Sequence, residues 1–529
     1  MARRDFLHAM VQSYGDVPDL AYFPGDMASI RSYFDYMQLE GDDPFLVDDT
    51  TWDDLDMDAV FKRINLGLSN SGEQYLYYLL HAPAQGREEL ARRRALVALM
   101  EREHHLRERL HYLLAGLGRR SNVHVFDLLQ LEGTSFQNLF LYVGLAAGLL
   151  LSILLLAVTY NRWFLLLSVT IAAVNLGVHL RRRGKEAWKI NTIQYCAAMA
   201  ATLKKLCGWG EDKLEPYLIS AREPLRRLQR LGGLGVFWTG GGFFEVLSNF
   251  LLLDLILFEI QKSDLSQYQR EFLEIHRSLG ELDAAICIAS YRKSVPRSTV
   301  PDVEFSSGPP FLLCKEVVHP LIEHCVPNSV DMRTSILLIG SNASGKTTFL
   351  RALAINLILA QGICTALAEE FHCSALRVLT SIDIRDSLAS GESYYTAELR
   401  SLRRVVDAVE EAGAPVFCCL DETLRGTNAV ERISASAELL AYLGGRCLCA
   451  AATHDVELCA ILSQFTLYHF EERIEDGEMR FDYRLKPGYS TTSNAIKLLG
   501  LMGFPGEVVK RAEQRASHYL AYGEWRPGS

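Results

Sequence analysis

The chain has 529 residues, 49% of them hydrophobic and 22% charged, enough apolar material for two to four domains with real cores. Its formal net charge of −10 argues against a protein that holds nucleic acid by bulk positive charge. All twelve cysteines fall from Cys196 onward and none forms a C-x-x-C pair, a usage that points to a reducing compartment without disulfides or structural zinc.

Met1–Val17 carries Asp5 and Asp16 and no long apolar run, so no secretory signal is read there. Asp16–Asp58 holds thirteen Asp or Glu against the single Arg31, with Tyr22, Phe23, Tyr33, Phe34 and Tyr36 interspersed. Residues 1–58 therefore read as an acidic arm, solvated and partly ordered, with a partner-docking arm as the alternative. Leu76, Leu79 and Leu80 have helical spacing, and Pro83 ends that helix. Residues 59–138 read as an all-α region.

Leu139–Thr159 is 21 residues without a charge. As a helix it would span roughly 30 Å, the thickness of a bilayer's hydrocarbon core. The turn Tyr160-Asn161-Arg162-Trp163 follows, then a second uncharged run, Phe164–Leu180. Arg181, Arg182, Arg183 and Lys185 close the unit. The pattern predicts a two-helix transmembrane hairpin over 139–185, its basic cluster on the cytoplasmic side. Both termini would then be cytoplasmic. A buried hairpin in a soluble core is the alternative.

Phe243–Ile260 is a third apolar run, interrupted by Glu245, Asp254 and Glu259. One Asp at mid-membrane costs about 2.5–3.5 kcal/mol, so this run reads as a buried core helix. It belongs to a second helical region, 186–305. Lys262–Lys293 continues as a long amphipathic helix with Gly280 as its only breaker. Ser294–Pro310 is linker-like.

Ser335–Ile339 is a short apolar run ending in Gly340. The spacing Gly340-x-x-x-x-Gly345-Lys346-Thr347 follows, and Phe349–Gln361 is helical. The order strand, glycine loop, helix suits a phosphate cradle: glycines let successive N–H groups turn inward, and the helix N-terminus adds partial positive charge. The candidate ATP contacts are Gly340, Asn342, Gly345, Lys346, Thr347 and Thr348. Lys346 would reach the β- and γ-phosphates, and Thr347 would hold Mg²⁺. Pro415–Glu422 (PVFCCLDE) is an apolar strand that delivers two carboxylates at its end. Asp421 is placed for the Mg²⁺ shell and Glu422 for orienting or deprotonating water. Cys447–His454 reads as another buried strand, with Thr453 and His454 at its tip and His454 as a candidate γ-phosphate sensor.

The run LDETLRGTNAVERISASAELLAYL (Leu420–Leu443) resembles the stretch L-D-E-x-x-R-G-T of the MutS mismatch-repair ATPase family, with Arg425, Gly426 and Thr427 in place. Asp386–Glu398 (DSLASGESYYTAE) is similar to that family's signature segment, D-D-L-x-x-G-x-S-T-F-x-x-E. Ser393 matches it; Tyr394 and Tyr395 stand where it has Thr and Phe. The likeness continues through Ala452–Leu458 and Leu485–Ala512, where Gly488, Ser493, Pro505 and Ala512 keep family positions. Ser71–Leu80, Arg92–Leu99 and Gly280–Arg292 resemble the family's lever helices more weakly. Nothing near the start resembles its F-x-E mismatch reader, which implies that the N-terminal recognition domain is lacking. The resemblance also implies that His319, Pro320 and Asn328 frame the adenine.

The fold implied is a C-terminal, doubly wound α/β P-loop ATPase domain of the ABC-like kind over 306–520, with a tail at 521–529. An all-α lever region interrupted by the transmembrane hairpin precedes it. The resemblance further implies a homodimer that binds ATP and Mg²⁺, with Ser393 reaching the γ-phosphate of the neighbouring subunit, Ala495–Ala516 in dimer contacts, and a DNA partner. Two functions stay open. One is a membrane-tethered ATPase of DNA repair; the other is a membrane-associated mechanochemical ATPase acting on a protein or lipid, with no DNA role.

Overall fold

The runs ILLI, VFCCLD and LCAAAT show no polar alternation, the pattern of strands covered on both faces. In the computed structural model they are the centre of a parallel sheet. The structure describes residues 11–41, 46–121, 123–129, 138–230, 249–253, 255–256, 259–260, 268–305, 308–341, 344–382, 394–411, 414–475, 478–489 and 495–525. A helix-rich N-terminal region precedes a C-terminal α/β sheet domain. The chain divides into two units. One comprises Met1–Asp42, Phe61–Leu79 and Arg93–Ser294; the other comprises Asp43–Val60, Leu80–Arg92 and Val295–Ser529.

The first unit is helical. Helix α1 (Asp26–Glu40) buries Ile30, Tyr33 and Phe34. The Tyr33 ring lies 4.9 Å from that of His276, 5.1 Å from Phe126 and 5.2 Å from Tyr78. Tyr33 and Phe34 of the acidic arm are thus packed, and helix α1 is not a solvated appendage. α3 (Asn70–His81) and α6 (Gln269–Ser294) meet backbone to backbone. A Cβ on Gly280 would stand 2.6 Å from Tyr75 Cβ and 2.7 Å from the Ser71 carbonyl oxygen. Gly280 therefore does not break α6; it lets the two helices touch.

Helices α4 (Leu139–Thr159) and α5 (Arg162–Cys207) follow the two uncharged runs. Tyr160 takes a left-handed conformation (φ 50°), and the Asn161 side chain caps α5 by accepting from Trp163 N. The expected four-residue turn is therefore shorter, since helix resumes at Arg162. α5 runs through the basic cluster without a break for 46 residues, about 70 Å at about 1.5 Å per residue. The stretches Leu139–Thr159 and Arg162–Arg181 are long and apolar enough to cross a membrane, and few of their residues are buried within the protein. Ser168 Oγ donates to Ser152 Oγ across the hairpin at 2.9 Å. Of Phe243–Ile260, the described residues include Leu252 and Leu255, both buried, and the Phe250 carbonyl, which accepts from Asn175 Nδ2 at 2.8 Å.

The second unit holds two sheets. The strands are β1 (Asp302–Glu304), β2 (Leu312–Val317), β3 (Asn328–Met332), β4 (Ile336–Ile339), β5 (Glu370–Ser374), β6 (Arg377–Ser381), β7 (Val416–Asp421), β8 (Leu448–Thr453), β9 (Thr466–Glu475) and β10 (Glu478–Pro487). The larger sheet has the order β10-β9-β4-β8-β7-β6, parallel except for the β9–β10 pair; the smaller has the order β1-β5-β2-β3. Helix α7 (Lys346–Ile363) is buried on nearly every face, as an all-round apolar helix must be. Its two interior amides are satisfied: Asn356 accepts from Leu367 N at 2.6 Å, and Gln361 accepts from Leu376 N at 2.7 Å.

Strand β6 is an outer strand of the larger sheet, and α2 (Asp49–Asp54) is bonded to it. Thr380 N donates to Thr51 Oγ1 at 3.2 Å, and Thr380 Oγ1 and Ile382 N donate to Asp54 Oδ2 at 2.7 and 2.9 Å. Side chains of α2 thus satisfy edge groups that would otherwise be open to pairing. Asp48 caps α2 by accepting from Thr51 N at 2.8 Å, and Trp52 stacks on His81 with ring centroids 3.5 Å apart.

Candidate functional site

The sheet brings the tips of β4, β7 and β8 side by side, because these three strands are parallel neighbours. β4 ends at Gly340. A Cβ there would lie 2.8 Å from Ser344 Oγ and 3.2 Å from the Phe470 carbonyl oxygen. Gly345 has φ 105°, a conformation that only glycine adopts freely, and sits directly before α7. Lys346, buried, donates through Nζ to the carbonyls of Gly340 at 2.5 Å and Ser341 at 2.8 Å. Burial lowers its pKa, while Glu422 and Asp421 oppose that shift.

Thr347 Oγ1 donates to Asp421 Oδ2 at 2.5 Å. The other oxygen, Asp421 Oδ1, is buried and has no hydrogen-bond partner among the described residues. Burial raises the Asp421 pKa, against the Thr347 hydrogen bond that lowers it. A hydroxyl bonded to a carboxylate whose second oxygen is unspent is a hard oxygen donor set of the kind that fits Mg²⁺. Ser344 Oγ, in the loop itself, is also buried and has no partner among the described residues.

Glu422 adopts φ 49°, and its N–H donates to the Ala452 carbonyl of the neighbouring strand at 2.8 Å. Its Oε2 lies 2.8 Å from Arg425 Nε and 3.3 Å from His454 Nδ1. Burial pushes the Glu422 pKa up, but the His454 hydrogen bond and the charges of Arg425 and His454 leave it below its ordinary value. The same hydrogen bond raises the His454 pKa. The loop that carries His454 is held by Asp455, whose two oxygens accept from Arg432 Nε and Nη2 at 2.9 and 2.7 Å.

A cavity of about 360 Å³ opens beside Gly345, lined by Thr348, Phe349, Asn328, Phe470 and Tyr483 among others. Asn328 fixes one wall: its Nδ2 donates to the Tyr483 carbonyl at 2.9 Å, and its Oδ1 accepts from Leu485 N at 2.7 Å. His319 does not line this cavity. It turns into its own loop, where Nδ1 accepts from Leu321 N at 3.2 Å, and burial lowers its pKa to about 4.

Gly340, Gly345, Lys346, Thr347, Asp421, Glu422 and His454 are thus brought together, and Thr348 borders the adjoining cavity. Asn342 and Ser393 lie outside the described residues. Sequence reasoning missed Phe470, Tyr483 and the Arg432–Asp455 pair. The first two stand on β9 and β10, more than 120 positions after the glycine loop, and no local pattern marks them. Arg432 and Asp455 lie in Leu420–Leu443 and Ala452–Leu458, the stretches that carry the resemblance, and Asp455 follows His454 directly.

Residues 336–519 match the family model described as MutS domain V. The DNA mismatch repair protein MutS of Pseudothermotoga lettingae is 31% identical over 219 residues, 38% of this chain and 26% of that protein. The DNA mismatch repair protein MutS 2 of Haloarcula marismortui is 33% identical over 182 residues, 33% of this chain and 19% of that protein. The MutS of Bacillus subtilis is 26% identical over 290 residues, 51% of this chain and 32% of that protein. The chain thus spans a fifth to a third of the length of these relatives.

Proposed function

The chain belongs to the MutS family through its C-terminal domain, and from that premise we propose that it is a membrane-anchored, dimeric ATPase switch. The observation that carries the ATPase reading is the convergence of Lys346, Thr347–Asp421 and Glu422–His454 at the tips of three parallel strands, next to an apolar cavity sized for a nucleoside. Lys346 would neutralise the β- and γ-phosphates. Thr347 and Asp421 would hold Mg²⁺, which would neutralise developing phosphate charge. Glu422 would orient or deprotonate the attacking water, and His454 would face the γ-phosphate. Ser393 would complete the site of the neighbouring subunit, and Asn342 would add a loop contact.

Lys346→Ala should abolish ATP binding. Glu422→Gln should still bind ATP and hydrolyse it about 10²–10⁴-fold more slowly. Wild-type turnover in the Glu422→Gln protein would remove Glu422 from the mechanism.

Membrane anchoring rests on α4 and the first half of α5, which expose long uncharged surfaces. The mismatch-repair-type role comes from the family alone. The apolar hairpin favours the second reading, a membrane-associated mechanochemical ATPase acting on a protein or lipid. A salt titration of DNA binding decides between them. Nanomolar binding at about 150 mM salt with preference for a mismatch supports the repair reading; weak binding without preference supports the other.

A further inference from the structure

Glu398 stands in the first turn and a half of helix α8 (Tyr394–Glu410), the helix that directly follows the segment assigned above to the partner's nucleotide. Its side chain is buried, 2% exposed. Oε1 accepts from Leu424 N at 2.5 Å and from Arg425 N at 3.2 Å, and the Gly426 amide faces the same carboxylate. Oε2 is buried with no hydrogen-bond partner among the described residues.

The three amides belong to the loop just after the candidate catalytic Glu422. That loop is conformationally forced: Glu422 and Leu424 both have positive φ, 49° and 63°. Successive N–H groups in such a turn form a concavity that binds anions. Here a carboxylate from another helix fills it. A second contact ties the same pieces together, because a Cβ on Gly426 would stand 2.9 Å from Tyr395 Cβ. Arg425, held by its backbone to Glu398, places its guanidinium 2.8 Å from Glu422 Oε2.

We propose that Glu398 is a positioning residue that transmits the position of α8 to Glu422 through the 424–426 loop and Arg425. The inference rests on the ATPase reading above. A displacement of the α8 N-terminus moves a buried carboxylate that three amides follow, and Arg425 then changes its grip on the Glu422 carboxylate. Occupancy of the signature segment is in this way felt at the protomer's own hydrolytic carboxylate. A small misplacement suffices, since about 1 Å at a reacting group can cost about 10²-fold in rate.

The test uses the full chain in detergent or membranes, with Glu398→Ala, Glu398→Gln and both again in the Glu422→Gln background. Glu398→Ala should lower kcat about tenfold to a hundredfold with KM for ATP changed less than about threefold. Glu398→Gln keeps a carbonyl acceptor for the loop amides and should recover much of the rate. In the Glu422→Gln background Glu398→Ala should slow the residual reaction no further. Independently of turnover, peptides covering 422–427 should exchange amide hydrogens faster in Glu398→Ala. Unchanged kcat and unchanged exchange, a fully additive double variant, or parallel loss of nucleotide binding and melting temperature would each overturn the proposal. A wild-type chain that neither binds nor hydrolyses ATP would instead overturn the ATPase reading, and the exchange measurement would still decide whether Glu398 holds the loop.

Discussion

Replacing Asp54 by Ala removes the acceptor that fixes α2 to the edge of the larger sheet. Asp54 is 5% exposed and Thr380 is fully buried. Two donors lose their partner at once, Thr380 Oγ1 and Ile382 N, now at 2.7 and 2.9 Å. A hydrogen bond to a charged group contributes about 1.5–3 kcal/mol, so the pair accounts for about 3–6 kcal/mol. Water entering the truncated site returns part of that, leaving about 3 kcal/mol of local stability. At about 1.4 kcal/mol per factor of ten, the edge of β6 should open roughly a hundredfold more often. Hydrogen exchange of peptides covering 376–382 reads this directly. Thr380→Val in the Asp54→Ala background removes an orphaned donor and should recover part of the protection, because losing both partners of a bond is milder than losing one. Exchange within about threefold of wild type in the single variant would mean that Asp54 does not hold the edge and that α2 is an incidental neighbour of the sheet.

Gly280→Ala should destabilise the first unit by about 1–3 kcal/mol through overpacking, measured by denaturant unfolding; an unchanged midpoint would mean that α3 and α6 can move apart freely. For His454, the raised pKa means that its contribution is fully present below its ordinary value of 6.5 and fades as pH rises through the folded value. The lowered pKa of Glu422 means that its contribution is present above its ordinary value of 4.5 and fades as pH falls through the folded value. The pair should therefore be strongest between about 4.5 and 6.5, and C2–H deuterium exchange should place His454 above 6.5 in wild type and closer to it in Glu422→Gln. Full-length protein should sediment with membranes and resist carbonate extraction, and deletion of Leu139–Leu180 should release it; a chain soluble without detergent would make the two helices part of a soluble core. Mixing inactive Ser393→Ala with inactive Lys346→Ala subunits should regain part of the ATPase activity, and normal hydrolysis by a monomeric Ser393→Ala protein would end the trans arrangement.

The glycine loop, the acidic pair of Asp421 and Glu422 and the strand ending in His454 were legible in the sequence because each is local. A strand tip followed by a loop carries its chemistry within a few residues, and the parallel sheet then has few ways to place three such tips together. The two uncharged helices were legible for the same reason: composition over some twenty residues decides them. What the sequence could not decide is long-range. Tyr33 and Phe34 read as scattered aromatics in an acidic arm until α1 is seen against Tyr78, Phe126 and His276, since helical periodicity does not say what a face meets. Gly280 read as a breaker, and only the crossing with α3 gives its missing side chain a purpose. Asp54 looked like one more surface charge among thirteen, yet its partners lie more than 320 positions away. Glu398 matched the last position of a signature without a role until the loop after Glu422 closed around it. Local residue order determined the chemistry present in this chain. Contacts between segments far apart in sequence decided which polar groups are buried and paired, because a buried group takes whichever partner the packing brings within about 3 Å.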